Sequence, residues 1–214
     1  MSAPRTSRMR IERLERSRHR RERVLVFLED GACLKVTEQE VLDMGLRSGD
    51  ELDETSLARL RAAAGISNVK LTAADLAGRR AMSRFELEKR LREKGAGEAE
   101  ARYAAEWLEA IGALNDREYA SLLVRHYSEM GYGPARLREK LREKGVPREL
   151  WDEALEEAPR DGGQIDAFLR GKLRGRTPDE KEKRRLTNAL LRRGFPWGEI
   201  KAAWGRLGEE MEED

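Results

Sequence analysis

The pentapeptide LREKG occurs at Leu91–Gly95 and again at Leu141–Gly145, fifty residues apart. Counting back from each glycine gives Leu87-x3-Leu91-x3-Gly95 and Leu137-x3-Leu141-x3-Gly145. A third copy, Leu186-x3-Leu190-x3-Gly194, follows 49 residues later. Two leucines four residues apart share one helix face, so each copy presents an apolar stripe. The glycine then offers the left-handed backbone on which helices commonly stop. After each glycine comes a second amphipathic segment: GEAEARYAAEWLEAIG, VPRELWDEALEEA and FPWGEIKAAWGRL. Before each copy lies another: TAADLAGRRA, NDREYASLLVRHYSEMG and GGQIDAFLRGKLRG. The unit is therefore three helices, repeated three times, with Leu91, Leu141 and Leu190 expected to be buried. A unit of about 45 residues is near the lower limit for burying a sufficient core alone. Stacked neighbours supply the rest, which predicts an elongated array offering a long surface to another macromolecule.

Helix boundaries are marked locally. Thr37 with Glu40, Thr72 with Asp75, Ser83 with Glu86, Asn115 with Glu118 and Thr177 with Glu180 all have the cap-x-x-acid form. Pro134, Pro147, Pro178 and Pro196 stand where a first helical residue is expected, since that position needs no N–H partner. Upstream, VLVFLEDGACLKV reads as a hairpin turning at Asp30-Gly31, a pair suited to a two-residue turn with positive φ. TSLARLRAAAG predicts a further short helix ending at Gly65. The expected fold is mainly α: three tandem three-helix repeats in an elongated array, preceded by a small N-terminal unit with a β-hairpin. The predicted boundaries are a basic arm over 1–23, a small α/β unit over 24–70, repeats over 71–112, 113–160 and 161–208, and an acidic tail over 209–214.

Charged residues and hydrophobic residues each make up 39% of the 214-residue chain, which suits thin helical units with large solvated faces. The net charge of +2 hides segregation: residues 1–23 carry nine Arg against three Glu, and residues 170–193 carry ten Lys/Arg against three acids. Such blocks favour a polyanion or an acidic protein surface, the alternative being a solvated helix face. The lone Cys33 excludes an internal disulfide, and no apolar run reaches the roughly 18 residues of a membrane span. Glu12, Glu15 and Glu22 argue against a transit peptide, so a cytoplasmic protein is expected.

No catalytic constellation is legible, and the chain is read as no enzyme, with no cofactor and no metal. His19 and His126 lack a nearby Cys or His, and His126 reads as a helix-surface residue. Cys33 reads as a small packing residue in a strand. GYGPAR lacks the third glycine of a phosphate-binding fingerprint and joins two helices, so it reads as a helix–helix turn. Trp107, Trp151, Trp197 and Trp204 read as core aromatics, with base stacking as the alternative. The remaining signal is basic, and Arg138, Arg142, Lys183, Arg184, Arg192 and Arg193 are the candidate partner-binding residues.

MSRFELEKRLREKG, LNDREYASLLVRHYSEMGYGPARLREKLREKGV and LTNALLRRGFPWGEIKAAW together closely resemble the RecX family of regulators of the bacterial recombinase RecA. The resemblance covers about residues 71–207, including the ND before the second repeat, the GYGPARL turn and the RRGF of the third. It implies a monomeric helical array that binds the RecA–single-stranded-DNA filament and modulates, mostly inhibits, RecA in recombination, DNA repair and the SOS response. Single-stranded DNA is a second candidate contact. The alternative is a nucleic-acid-binding helical repeat protein acting without RecA, which steep salt dependence of DNA affinity would favour.

Overall fold

The computed structural model describes residues 8–18, 20, 22–158 and 163–213, with side chains through Glu209. His19 lies outside them. The chain divides into two compact units, one of residues 1–80 with 87–113 and one of residues 81–86 with 114–214.

The first unit opens on strands β1 (Met9–Arg16), β2 (Arg23–Leu28) and β3 (Cys33–Thr37). Helix α1 (Glu38–Asp43) and the short β4 (Glu51–Leu52) follow, and the antiparallel sheet has the order β3-β2-β1-β4. The segment read as a basic arm therefore contains a strand with Ile11 fully buried. Its register shifts between Ile11 and Arg13, a bulge that breaks the period-2 alternation by which a strand is recognised. The β2–β3 hairpin is present, but its turn is longer than two residues. Gly31 alone takes positive φ (84°), donating to Leu28 O, while the Asp30 carboxylate accepts from Ala32 N. That is a type I turn closed by a left-handed glycine. Cys33 is exposed at the start of β3 and is not a packing residue.

Thr37 caps α1 with the reciprocal Glu40 bonds expected of a capping box. The same Glu40 accepts from Ser67 Oγ at 2.5 Å. Beside it the buried Arg23 donates to Lys35 O and Ser67 O. Burial pushes the Arg23 guanidinium down from its usual pKa, opposed by the charge of Glu40.

Helix α2 (Glu54–Arg79) overrides two expected boundaries. Gly65 is interior to it, and Thr72 does not cap a helix; its hydroxyl donates to Asn68 O one turn back. A stripe of Leu60, Ala64, Ser67, Ala73 and Leu76 is buried along α2, so tertiary burial outweighs the roughly 1 kcal/mol cost of a mid-helix glycine. The glycine has a use: a Cβ there would stand 3.0 Å from the carboxylate of Glu100, which belongs to α4 (Glu98–Ala110).

Helix α3 (Arg84–Glu93) is the first of the three leucine-stripe helices; the others are α6 (Pro134–Glu143) and α9 (Glu180–Arg192). Leu87, Leu91, Leu137, Leu141, Leu186 and Leu190 are all buried. Each helix ends in the same pair of backbone hydrogen bonds. Gly95, Gly145 and Gly194 have φ of 93°, 69° and 89°. The residue after each donates to the carbonyl of Leu91, Leu141 or Leu190 at 3.0, 3.0 and 3.2 Å. The leucine thus fills the core with its side chain and closes the stop with its backbone.

In the second unit, α5 (Asp116–Glu129), α6 and α7 (Trp151–Glu156) surround one core, the last preceded by a 3-10 turn at Arg148–Leu150. Helices α8 (Gly163–Leu173), α9 and α10 (Trp197–Glu213) surround another. Asn115 caps α5 by accepting from Arg117 N and Glu118 N. Asn115→Ala should cost about 1 kcal/mol, read as a lower urea midpoint at unchanged m. Pro134 opens α6 as expected. Pro147 caps the 3-10 turn, and Pro196 supplies the carbonyl for Ile200 N. Pro178 precedes Asp179, which replaces Thr177 as the cap of α9, accepting from Glu182 N at 2.6 Å. The segment read as an acidic tail continues α10 as far as Glu213.

Within this unit the end of one stripe helix meets the start of the one before it. Gly133 N donates to Arg193 O at 2.8 Å and Ala135 N to Gly194 O at 3.1 Å. A Cβ on Gly133 would stand 2.6 Å from the Gly194 carbonyl. The stop of α6 repeats the pattern at residues 83–85: Ser83 Oγ donates to Lys144 O at 2.5 Å, and a Cβ on Gly145 would strike the Phe85 ring. The GYGPARL turn and the RRGF segment are the two halves of one joint.

Candidate functional site

The candidate site is a matter of which cations the fold leaves unneutralised among the described residues. On α6 the stripe turns Leu137 and Leu141 inward, so Arg138 and Arg142, four residues apart, share an exposed face. Their neighbours are occupied: Arg136 pairs with Glu139, and Lys140 with Glu143 at 2.7 Å. The Glu143 hydrogen bond raises the Lys140 ammonium above its ordinary pKa, and the reciprocal bond lowers that of Glu143. Arg138 and Arg142 have no ion-pair partner among the described residues. Arg138 also lines a cleft of about 430 Å³ with Tyr132, Gln164, Phe195 and Glu199.

On α9 the carboxylate of Glu182 takes Arg176 at 3.6 Å and Arg185 at 3.3 Å. Arg184 and Arg192 stay exposed, with no ion-pair partner among the described residues. Lys183 places its ammonium 5.7 Å from the Trp204 ring centroid. Arg193 is used differently. Half-buried, it holds its guanidinium 4.7 Å from the Phe168 ring centroid, and a Cβ on Gly131 would stand 2.7 Å from its Nη1. It belongs to the joint as much as to the surface.

The six candidates therefore do not form one pocket. Lys183 and Arg184 share a groove of about 550 Å³ along α9 and α10, completed by Glu180, Asn188, Leu191, Trp197, Lys201 and Trp204. Arg138 lines the other cleft, and Arg142 and Arg192 line neither. The core reading holds in part for the tryptophans: Trp151 and Trp204 pack against the two helical cores, whereas Trp197 does not. None is fully buried: Trp107, Trp151 and Trp204 are half-buried and Trp197 is 58% exposed. Trp204 donates its indole N–H to Thr187 Oγ1 at 3.0 Å. The sequence did hold a signal for this groove. Trp197, Lys201 and Trp204 fall at i, i+4 and i+7, a second face of α10 beside the buried Ile200 and Ala203. His126 is exposed on α5, as expected of a surface residue. No described helix is long and apolar enough to cross a membrane.

Comparison with known proteins gives this geometry a family. Residues 115–155 match the second three-helix domain of RecX, and residues 165–204 match its third. "Regulatory protein RecX" of Pseudomonas putida is 36% identical over 142 residues, covering 65% of this chain and 88% of that protein. The protein of the same name from Bacillus cytotoxicus is 26% identical over 212 residues, covering 95% of this chain and 78% of the relative. Among solved structures, "Crystal structure of regulatory protein RecX" aligns with a TM-score of 0.72 at 22% identity, over 91% of this chain and 99% of that one. "Crystal structure of RecX from Lactobacillus salivarius" aligns at 0.61 and 21% identity, over 70% and 98%. The structures share the fold, and a relative 36% identical is matched over 88% of its length: the chain belongs to the RecX family of regulatory proteins.

Proposed function

We propose that this protein binds the RecA–single-stranded-DNA filament through basic residues of its second and third repeats, and lowers the filament's ATP turnover without catalysing a reaction itself. The observation that carries the reading is selective neutralisation. Arg136, Lys140 and Arg185 have carboxylate partners, whereas Arg138, Arg142, Arg184 and Arg192 stand exposed without an ion pair among the described residues. A free guanidinium offers a planar donor fork suited to the carboxylates of an acidic protein surface or to phosphate. Lys183 extends the α9 surface, and Arg193 shapes it from within the joint. The family resemblance supplies the recombinase as partner, and with it a place in recombination and DNA repair in the cytoplasm.

The test is RecA-filament ATPase at fixed DNA, titrated with this protein. The parent should suppress turnover, and the suppression should weaken with salt as the charges are screened. Arg184→Glu with Arg192→Glu should raise the concentration for half-suppression by about tenfold or more, with an unchanged urea melt. Arg59→Glu, an exposed reversal on α2, should change it little. Equal suppression by the double variant and the parent would remove the α9 surface from the contact. A parent without effect at any ratio would remove the recombinase reading altogether.

A further inference from the structure

We infer that the α9–α10 groove is a binding site for single-stranded nucleic acid, with unpaired bases stacked on Trp197 and Trp204 and the phosphates held by Lys183, Arg184 and Lys201. The inference deepens the reading above, because it names the chemical partner of part of the same basic surface. Three features of the groove support it.

The first is the state of the two indoles. Trp204 spends its only polar group on Thr187, a buried residue of α9, so its ring is fixed in orientation by a hydrogen bond across the two helices. A ring held in this way loses little freedom when a second ring stacks on it. Trp197 is 58% exposed at the start of α10, and Leu191 beside it is 42% exposed. A large aromatic face left in water beside cations is ordinary for a surface that stacks bases and costly for one that does nothing.

The second is spacing. Trp197 and Trp204 lie seven residues apart on one helix face, about 10 Å along the axis, a separation that nearby nucleotides of one flexible strand can span. Lys201 falls between them on the same face, where it would meet the backbone of a strand lying across both rings.

The third is charge. Lys183, Arg184 and Lys201 face a single lining carboxylate, Glu180. Arg184 and Lys201 have no ion-pair partner among the described residues, and Lys183 lies over the Trp204 ring, where a cation and a stacked base can share one aromatic platform. The exposed Asn188 amide in the same groove can donate to and accept from base edges. An acidic peptide would satisfy the cations equally. It would leave the indoles without a matching planar surface, because an apolar anchor residue binds best in an enclosed, desolvated pocket, and Trp197 does not wall one.

The experiment needs no recombinase. A labelled oligodeoxythymidine of about 15 nucleotides, within the range of a single-strand site, is titrated with the full chain by anisotropy, and its abasic counterpart of equal length and charge in parallel. The intact strand should bind more tightly than the abasic one and quench tryptophan emission. Trp197→Ala should weaken binding of the intact strand roughly 5- to 100-fold, towards the abasic value, without shifting the thermal melt. Trp197→Phe should keep most of the affinity. Equal binding of intact and abasic strands by the parent would overturn the stacking site, as would a Trp197→Ala variant that binds like the parent. If that variant keeps its oligonucleotide affinity but no longer suppresses filament ATPase, the groove takes a protein surface; the present inference falls and the proposed function stands. If base-dependent binding is lost with Trp197 while the parent never affects filaments, the nucleic-acid site stands and the recombinase reading falls.

Discussion

Gly194→Ala should destabilise the protein by about 2–5 kcal/mol, the sum of two separable costs. Gly194 has φ of 89°, where a Cβ meets its own backbone and costs roughly 1–2 kcal/mol. The added carbon would also stand 2.8 Å from Arg136 Cβ and closer still to the Arg136 backbone nitrogen. That neighbour cannot swing away, because Arg136 N donates to Gly133 O, and the same turn gives Gly133 N and Ala135 N to the carbonyls of Arg193 and Gly194. Overpacking against fixed backbone adds roughly 1–3 kcal/mol. The equivalent Gly95→Ala isolates the first cost, since Gly95 has φ of 93° and nothing within 4 Å of an added Cβ. Urea melts of the two variants should differ by the packing cost alone. Equal losses would mean that GYGPARL and RRGF do not form a tight joint.

Leu141→Ala should cost about 2–5 kcal/mol. The side chain is fully buried in the core that Tyr119, Ala120, Val124, Leu137, Val146 and Leu155 build. Truncation loses the transfer of three carbons from water and leaves a hole that three packed helices close only in part. The backbone role survives, because the carbonyl that accepts from Val146 N is unchanged. The loss is therefore one of packing alone, and denaturant melts should show a lower midpoint with m unchanged. Leu122→Ala, on the same repeat but 48% exposed, is the comparison and should stay within about 0.5 kcal/mol. A small effect at Leu141 would place the stripe on the wrong side of α6.

What could be read in advance and what could not divides by the range of the interaction. The stop at Gly145 closes through bonds from Val146 N to Leu141 O and from Gly145 N to Arg142 O, all inside six residues. The caps at Thr37, Ser83 and Asn115 act over two or three residues. Such contacts leave their marks within one short window, so the repeat and its leucine stripes were legible. Strand β1 was not. Its bulge hides the alternation, and although β2 follows directly, its other partner β4 lies far along the chain. Gly65 and Thr72 were misread for the same reason, since burial along α2 decides that the helix continues through both.

The functional surface divides in the same way. That α6 and α9 carry excess positive charge is a property of composition. Which charges remain available is not, because an ion pair depends on where Glu139, Glu143 and Glu182 swing. Arg192 and Arg193 are adjacent in sequence, yet one faces solvent while the other lies over Phe168 from a different helix. Trp204 reads in sequence as a core residue and does pack against the α8–α10 core, while its bond to Thr187 across α9 also sets the ring on the wall of a groove. The sequence by itself determined three capped and glycine-stopped helical repeats, because those choices are settled by backbone sterics and bonds within a few residues. Only the tertiary structure decided that two glycine motifs form one joint, which cations stay unpaired and that the indoles line a groove. Those outcomes depend on groups distant along the chain arriving within a few ångströms of one another.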